Sequence, residues 1–322
     1  MLTPYGRGLS AELLSTWGTE KEAQFLHGVV NLETVNEWLS VGGDYRGLQY
    51  HYENDQVKDG QWINMQGALE AAIRIKNWVF DYAFGRFEEN SSWSSETNHY
   101  YVLFQANDYF SIRAGKFLPQ FGLSIPEHVS PTRGPLGFGA YDERNAAEAQ
   151  FANENWTVTG TYSIAPKDHT NSDEKAWALK IERVFADTLK PGVSYWSGDL
   201  PQSRRQILGL HGLLGFTKKF FWLTEFDWQE DTAKSTSVTQ HSGATYQKWG
   251  YEFYKGVIGL LVADAQRTTL ESPATQTAHY GLGVQFFPRP HFEIEGVWMR
   301  ERAPQITAQE GDYAWLLLHY YL

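Results

Sequence analysis

The chain has 322 residues, no cysteine and a formal net charge of -11. That excludes disulfides, thiolate metal centres, iron–sulfur clusters and thioether-linked haem carried by the chain itself, and it lacks the basic footprint of a nucleic-acid binder. Aromatic residues make up 16% of it while only 42% is hydrophobic, and the mean hydropathy is -0.46. The longest apolar run, Val257–Ala263, is about a third of the ~20 residues a membrane helix needs. A barrel wall turns only alternate side chains to lipid, so low hydropathy with many aromatics suits a transmembrane β-barrel. No leader is visible at Met1, so an exported protein would be a processed or re-engineered chain.

Residues 1–42 leave two readings open: further strands at 9–17 and 25–32, or a periplasmic or plugging segment. Tyr45–Tyr52 supplies a first strand. Ile63–Arg74 then pairs with Trp78–Phe87 across Lys76 and Asn77. Ile63, Met65, Leu69, Ala71 and Ile73 share one face, and Asn64, Gln66, Glu70 and Arg74 the other. Alternation with period two over this length predicts strands. The unit recurs as His99–Ala106 with Tyr109–Leu118, Arg144–Phe151 with Trp156–Ile164, and Lys175–Arg183 with Gly192–Ser197. Arg205–Gly215 with Phe220–Gln229, Thr245–Phe253 with Val257–Gln266, and Thr277–Phe287 with His291–Arg300 complete seven hairpins.

Turns within hairpins are short, whereas the connections between them are longer and polar, as in Glu88–Glu96, Lys167–Glu174 and Asp231–Gly243. This asymmetry is that of an outer-membrane barrel. The final segment, Asp312–Leu322, is an unpaired strand that needs the first strand as partner. The expectation is an all-β, transmembrane antiparallel barrel of about 16 strands, within a range of 14–18. It would be a single domain in a bacterial outer membrane, facing lipid and lipopolysaccharide. The ending, with Leu318, Tyr320 and Leu322 on one face, resembles the C-terminal assembly signal of such barrels, which usually closes on Phe. Trp78, Trp156, Trp177, Trp228 and Trp298, near strand ends, predict interfacial aromatic girdles.

Lipid claims the apolar face, so the opposite faces predict the lumen. They carry Arg144, Glu148, Lys180, Glu182, Glu225, Asp227, His291, Glu293 and Glu295, together with Glu70, Arg74, Asp81 and Arg113. Acids outnumber bases, which predicts a polar, mildly acidic lumen that modestly disfavours anions. Any wet lumen needs such a lining, so no single residue acquires a role from its position alone.

The stretch Arg113-Ala-Gly-Lys-Phe-Leu-Pro-Gln-Phe-Gly122 resembles a signature of the phosphate-selective porin O and P type family, in which a strand runs into an inward-folding loop. The resemblance implies a porin whose segment 118–143 narrows the pore. Pro119, Pro126, Pro131 and Pro135 restrict that segment, while Gly122, Gly134, Gly137 and Gly139 permit its bends. Glu127, His128, Arg133, Asp142 and Glu143 are then candidates for the constriction, against the rival of a proline-stiffened extracellular loop. The family's ladder of Arg and Lys is not matched by the inferred lining, so phosphate selectivity does not carry over.

No Gly-x-Ser-x-Gly elbow, His-Glu-x-x-His helix or phosphate loop is present. Glu293 and Glu295 have the spacing of any acidic wall. No catalytic residue, cofactor or metal is therefore expected, and the protein reads as a channel for passive diffusion of small polar solutes or ions rather than an enzyme. Two rivals remain: a barrel sheathing a periplasmic or extracellular multihaem cytochrome, and a soluble glycan-binding or glycan-cleaving β protein.

Overall fold

A computed structural model describes residues 15–17, 38–86, 99–125, 127, 130–139, 142–167, 169, 171–186, 188–303 and 310–321. Chain order gives β1 (Leu39–Glu53), β2 (Lys58–Ile75), β3 (Trp78–Arg86), β4 (Tyr100–Gln105) and β5 (Phe110–Phe117). Then come β6 (Arg144–Ala152), β7 (Trp156–Ile164), β8 (Lys175–Arg183), β9 (Leu189–Asp199), β10 (Ser203–Gly215) and β11 (Phe220–Ala233). The last are β12 (Thr239–Tyr254), β13 (Val257–Arg267), β14 (Gln276–Arg289), β15 (Phe292–Arg302) and β16 (Asp312–Tyr321). Each strand pairs with its neighbours in sequence, and β1 closes on β16 from Asp44↔Tyr321 to Glu53↔Asp312. The expected closed barrel, with 16 strands among the described residues, is what forms.

Alternation positions the two faces. On β3, Phe80, Tyr82 and Phe84 point out and are exposed, while Val79, Asp81 and Ala83 are buried inside. Trp78, Trp156, Trp177, Trp228 and Trp298 are likewise exposed outside. The short turns are held at one rim by side-chain acceptors: Asn107 receives the amides of Tyr109 and Phe110, and Asn153 those of Asn155 and Trp156. Such Asx turns let a tight connection satisfy its own backbone.

Three local expectations change. Arg46 pairs with Gln66 but Gly47 with Asn64, so Met65 is an extra residue in a β-bulge. A one-residue slip exchanges the faces, and Ile63 therefore lies opposite to the face of Leu69, Ala71 and Ile73. Asn64, turned outward, accepts hydrogen bonds from Tyr45 Oη at 2.8 Å and Trp62 Nε1 at 3.1 Å. Second, Asp231–Gly243 is mostly ladder, because β11 and β12 run on to the pair Thr232↔Thr239, whose hydroxyls bond at 2.9 Å. Strand pairing needs backbone partners, not lipid, and polar strands extend past the apolar band.

Third, β1 begins at Leu39, before the predicted Tyr45. The segments at 9–17 and 25–32 lie outside the described residues except for 15–17. There Thr16 and Trp17 donate their amides to Phe287 and Pro288, and Trp17 packs edge-on against Phe286. Leu322 also lies outside the described residues.

Candidate functional site: the inward loop and the wall it leaves open

The described part of segment 118–143 folds into the lumen and has its own seat there. Phe121 stacks on Phe138 at 4.4 Å, and Phe138 meets Trp196 of β9 edge-on at 5.0 Å. With Leu136, Ala176, Ala178 and Ile207 these rings form a buried cluster inside the barrel. A second cluster joins Leu123 to Tyr246, Ile258, Leu260, Val262, Phe287, Val297 and Met299. Beside the inward Glu293 and Glu295, Ile258, Leu260 and Val262 of β13 and Val297 and Met299 of β15 thus place apolar side chains on the inward face, where the lining was expected to be polar. The loop, rather than lipid, covers these side chains and removes them from water.

Charge fixes the loop as firmly. Arg133 Nη2 donates to both carboxylate oxygens of Glu225 at 2.8 Å, and its Nη1 to the Phe121 carbonyl at 2.9 Å. Leu123 N donates to Glu225 Oε2 and Gly122 N to Ser194 Oγ, each at 3.0 Å. A fully buried carboxylate is tolerated only with such a set of donors. Gly122 has φ +54, and a Cβ there would sit on the Glu225 carboxylate, so this bend requires glycine. Farther on, Glu127 accepts from Lys248 Nζ at 2.6 Å and Tyr246 Oη at 3.0 Å, and Lys248 also bonds Glu295 at 3.1 Å.

The loop's return leg uses a second knot. Glu174 sits between Arg144 at 2.8 Å and Arg205 at 2.9 Å, and accepts from Trp196 Nε1 at 3.0 Å, while Arg205 Nη1 reaches the Leu136 carbonyl at 2.7 Å. Burial pushes the Glu174 carboxyl up, but the guanidiniums of Arg205 and Arg144 outweigh it and hold it below the usual range. Asp142 caps the Gly139 amide at 2.7 Å and faces His169 Nε2 at 3.2 Å. Burial, aided by the Arg144 guanidinium, depresses the His169 imidazole to about 4, so it is neutral near pH 7. Burial raises the Asp142 carboxyl and takes that of Glu143 up to about 7.

Of the predicted lining residues, Arg133, Glu225, Glu127, Glu295, Asp142 and Arg144 are therefore loop anchors. Glu148 is buried and takes Arg113 at 2.8 Å and Thr161 at 2.9 Å. Glu182 is shared by Lys180 at 3.3 Å, Lys190 at 2.9 Å and His211 at 3.4 Å. Asp227 is buried beside Glu225 with no hydrogen bond to either carboxylate oxygen among the described residues. Glu293 pairs with His319 of β16 at 3.0 Å. His128 lies outside the described residues. Glu174, Trp196, Arg205, Tyr246 and Lys248 were missed. The alternation of Tyr246, Lys248 and Gly250 on β12 would have marked Lys248, whereas Trp196 gave no signal, since Tyr195 and Trp196 suit either face.

The described hydrogen bonds of residues 121–127 and 133 to the wall fall on β9, β11 and β12. The opposite wall, from β16 through β1 to β5, keeps inward side chains partly exposed: Arg46, Glu70, His99 and Arg113 at 28%, 44%, 29% and 20%. These partly exposed inward side chains, on the wall away from the loop's anchors, are the candidate site.

No protein-family description matches the chain, and no curated protein does. Several solved structures do match. OmpT, an outer membrane protein of Vibrio cholerae, has a TM-score of 0.68 at 10% identity over 88% of this chain and 97% of that one. The anion-selective porin from Comamonas acidovorans gives 0.66 at 9% over 88% and 99%. OprB of Pseudomonas putida gives 0.69 at 7% over 92% and 97%. Identities this low speak for architecture alone, and the architecture is that of a bacterial outer-membrane β-barrel.

Proposed function

We propose that the protein is an outer-membrane channel for passive diffusion of small polar solutes or ions, narrowed by segment 118–143. The observation that carries this reading is the Arg133–Glu225 tie, which holds the loop across one side of the lumen and leaves the other wet. On the inward faces outside the loop's seat, Asp44, Glu70, Asp81, Glu293 and Glu301 stand against Arg46, Arg74 and Arg113. The excess of acids is small, so the field favours cations modestly. The entry to the loop resembles that of the phosphate-selective porins, but an anion pathway needs free cations. Here Arg133 and Lys248 are neutralised by Glu225, Glu127 and Glu295.

A sheath for a cytochrome would need a lumen free of inward segments, and the two apolar clusters under the loop speak against it. A soluble glycan-binding protein would not carry a girdle of exposed aromatic rings around a closed barrel. Planar-bilayer recording of the purified protein across a salt gradient tests the proposal. Stable conductance with a reversal potential on the cation side is expected. A non-conducting barrel would defeat the channel, and an anion-side potential would defeat the charge argument.

A further inference from the structure

Three side chains on the open wall converge without touching the loop's anchors. Glu70 on β2 and Asp81 on β3 face inward on adjacent strands, where Glu70 pairs with Ala83 and Asp81 with Ala72. The Ala83 amide donates to the carbonyl of His99, just ahead of β4, which brings that imidazole beside both carboxylates. His99 Nε2 lies 3.4 Å from Glu70 Oε1 and 3.4 Å from Asp81 Oδ1. One ligand atom from each of the three residues falls within 4.8 Å of the others.

We propose that Glu70, Asp81 and His99 bind a divalent cation of the zinc class on the open side of the lumen. Zn–N and Zn–O bonds are about 2.0–2.2 Å, so two ligands on one tetrahedral ion stand about 3.4 Å apart, matching both imidazole-to-carboxylate distances. Two carboxylates with a neutral imidazole balance a 2+ charge, and three protein ligands leave a coordination position for water or a passing anion.

A second observation concerns the burial of the Asp81 carboxylate. Asp81 has a side chain only 2% exposed, yet its Oδ1 accepts no hydrogen bond among the described residues. With only the His99 imidazole at 3.4 Å and no well-formed hydrogen bond, this buried oxygen is poorly satisfied, and a cation at the centre of the three would satisfy it. His99 and Glu70 stay 29% and 44% exposed, so the ion has a route in from the lumen.

The competing arrangement is an imidazolium clamped between two carboxylates, which fills the same space but binds no metal. Cobalt(II) titration of the detergent-refolded protein separates the two. Visible d–d bands saturating at one ion per chain and displaced by zinc are expected, with affinity lowered at least tenfold in Glu70→Gln and the bands lost in His99→Gln. Heat-modifiable gel migration confirms that each variant is a folded barrel. Glu70, the most exposed of the three, is the variant to rely on if His99→Gln does not fold. Absence of bands in the parent protein, or undiminished affinity in Glu70→Gln, overturns the proposal. The readout needs no conduction, so it stands or falls separately from the channel.

Discussion

The two sides of the lumen follow one rule of alternation and reach opposite ends. From β8 to β15 the inward residues are covered: Trp196, Ile207, Tyr246 and Glu225 are buried as deeply as the core of a soluble domain. From β16 through β1 to β5 Arg46, Glu70 and Arg113 stay partly exposed, although Val79, Asp81 and Ala83 of β3 are buried. The difference is the second layer. A sheet face becomes a core only when something packs on it, and the described hydrogen bonds of residues 121–127 and 133 put that cover on β9, β11 and β12. On the packed side the charges tie the loop down, while on the open side Arg46, Glu70, His99 and Arg113 pair with neighbouring side chains and stay partly exposed. Facing inward is thus not the same as lining the pore.

The strongest way to break this contrast is Glu225→Ala. It strands the Arg133 guanidinium in a dry site, a loss of about 3–5 kcal/mol for a buried pair deprived of one partner. Single-channel conductance should rise well above that of the parent protein as the loop leaves its seat, with the barrel still assembled. Unchanged conductance would mean that the loop is not the constriction.

Gly122→Ala tests the same seat from the backbone. The left-handed conformation alone costs an L-residue roughly 1–2 kcal/mol, and the added methyl meets Glu225. An intermediate conductance increase and faster protease cleavage within 118–143 are expected.

A smaller effect should come with acid. The folded imidazole of His169 titrates near 4, below its ordinary value of about 6.5. The released segment therefore takes up the proton more readily than the folded one. Stability is complete above about pH 6.5 and declines as pH falls toward 4. Protease access to the loop's return leg should rise across that window, and His169→Gln should flatten the profile.

The least effect belongs to the open wall. Arg46 is partly exposed and 3.4 Å from Asp44, so Arg46→Ala should change stability by no more than about 1 kcal/mol. It should move the reversal potential a few millivolts toward the cation side (on the order of one charge removed from the lining). A large stability loss would place Arg46 in the packed class.

The strands were legible because lipid imposes its demand at every second residue, as Phe80, Tyr82 and Phe84 show. The bulge at Met65 was not, since Ile63 is acceptable on either face and alternation has no marker for one extra residue. Arg133 and Glu225 were identified as inward residues, but a face is readable from sequence and what covers it is not. For the same reason Leu260 and Val262 contradict the rule that apolar residues seek lipid, because their cover comes from a distant loop. The meeting of Glu70, Asp81 and His99 depends on the register of three strands, which no local spacing announces.

The seam between β1 and β16 joins the two ends of the described chain, which makes it the most non-local pairing in the protein. Until it forms, the sheet has two raw edges able to pair with anything extended. The loop's hydrogen-bonded partners on β9, β11 and β12 precede β16 in the chain, so this part of its seat does not need the closing strand. A loop docked at that stage would cover Trp196, Ile207 and Tyr246, which are buried in the closed barrel, before the last edge is paired.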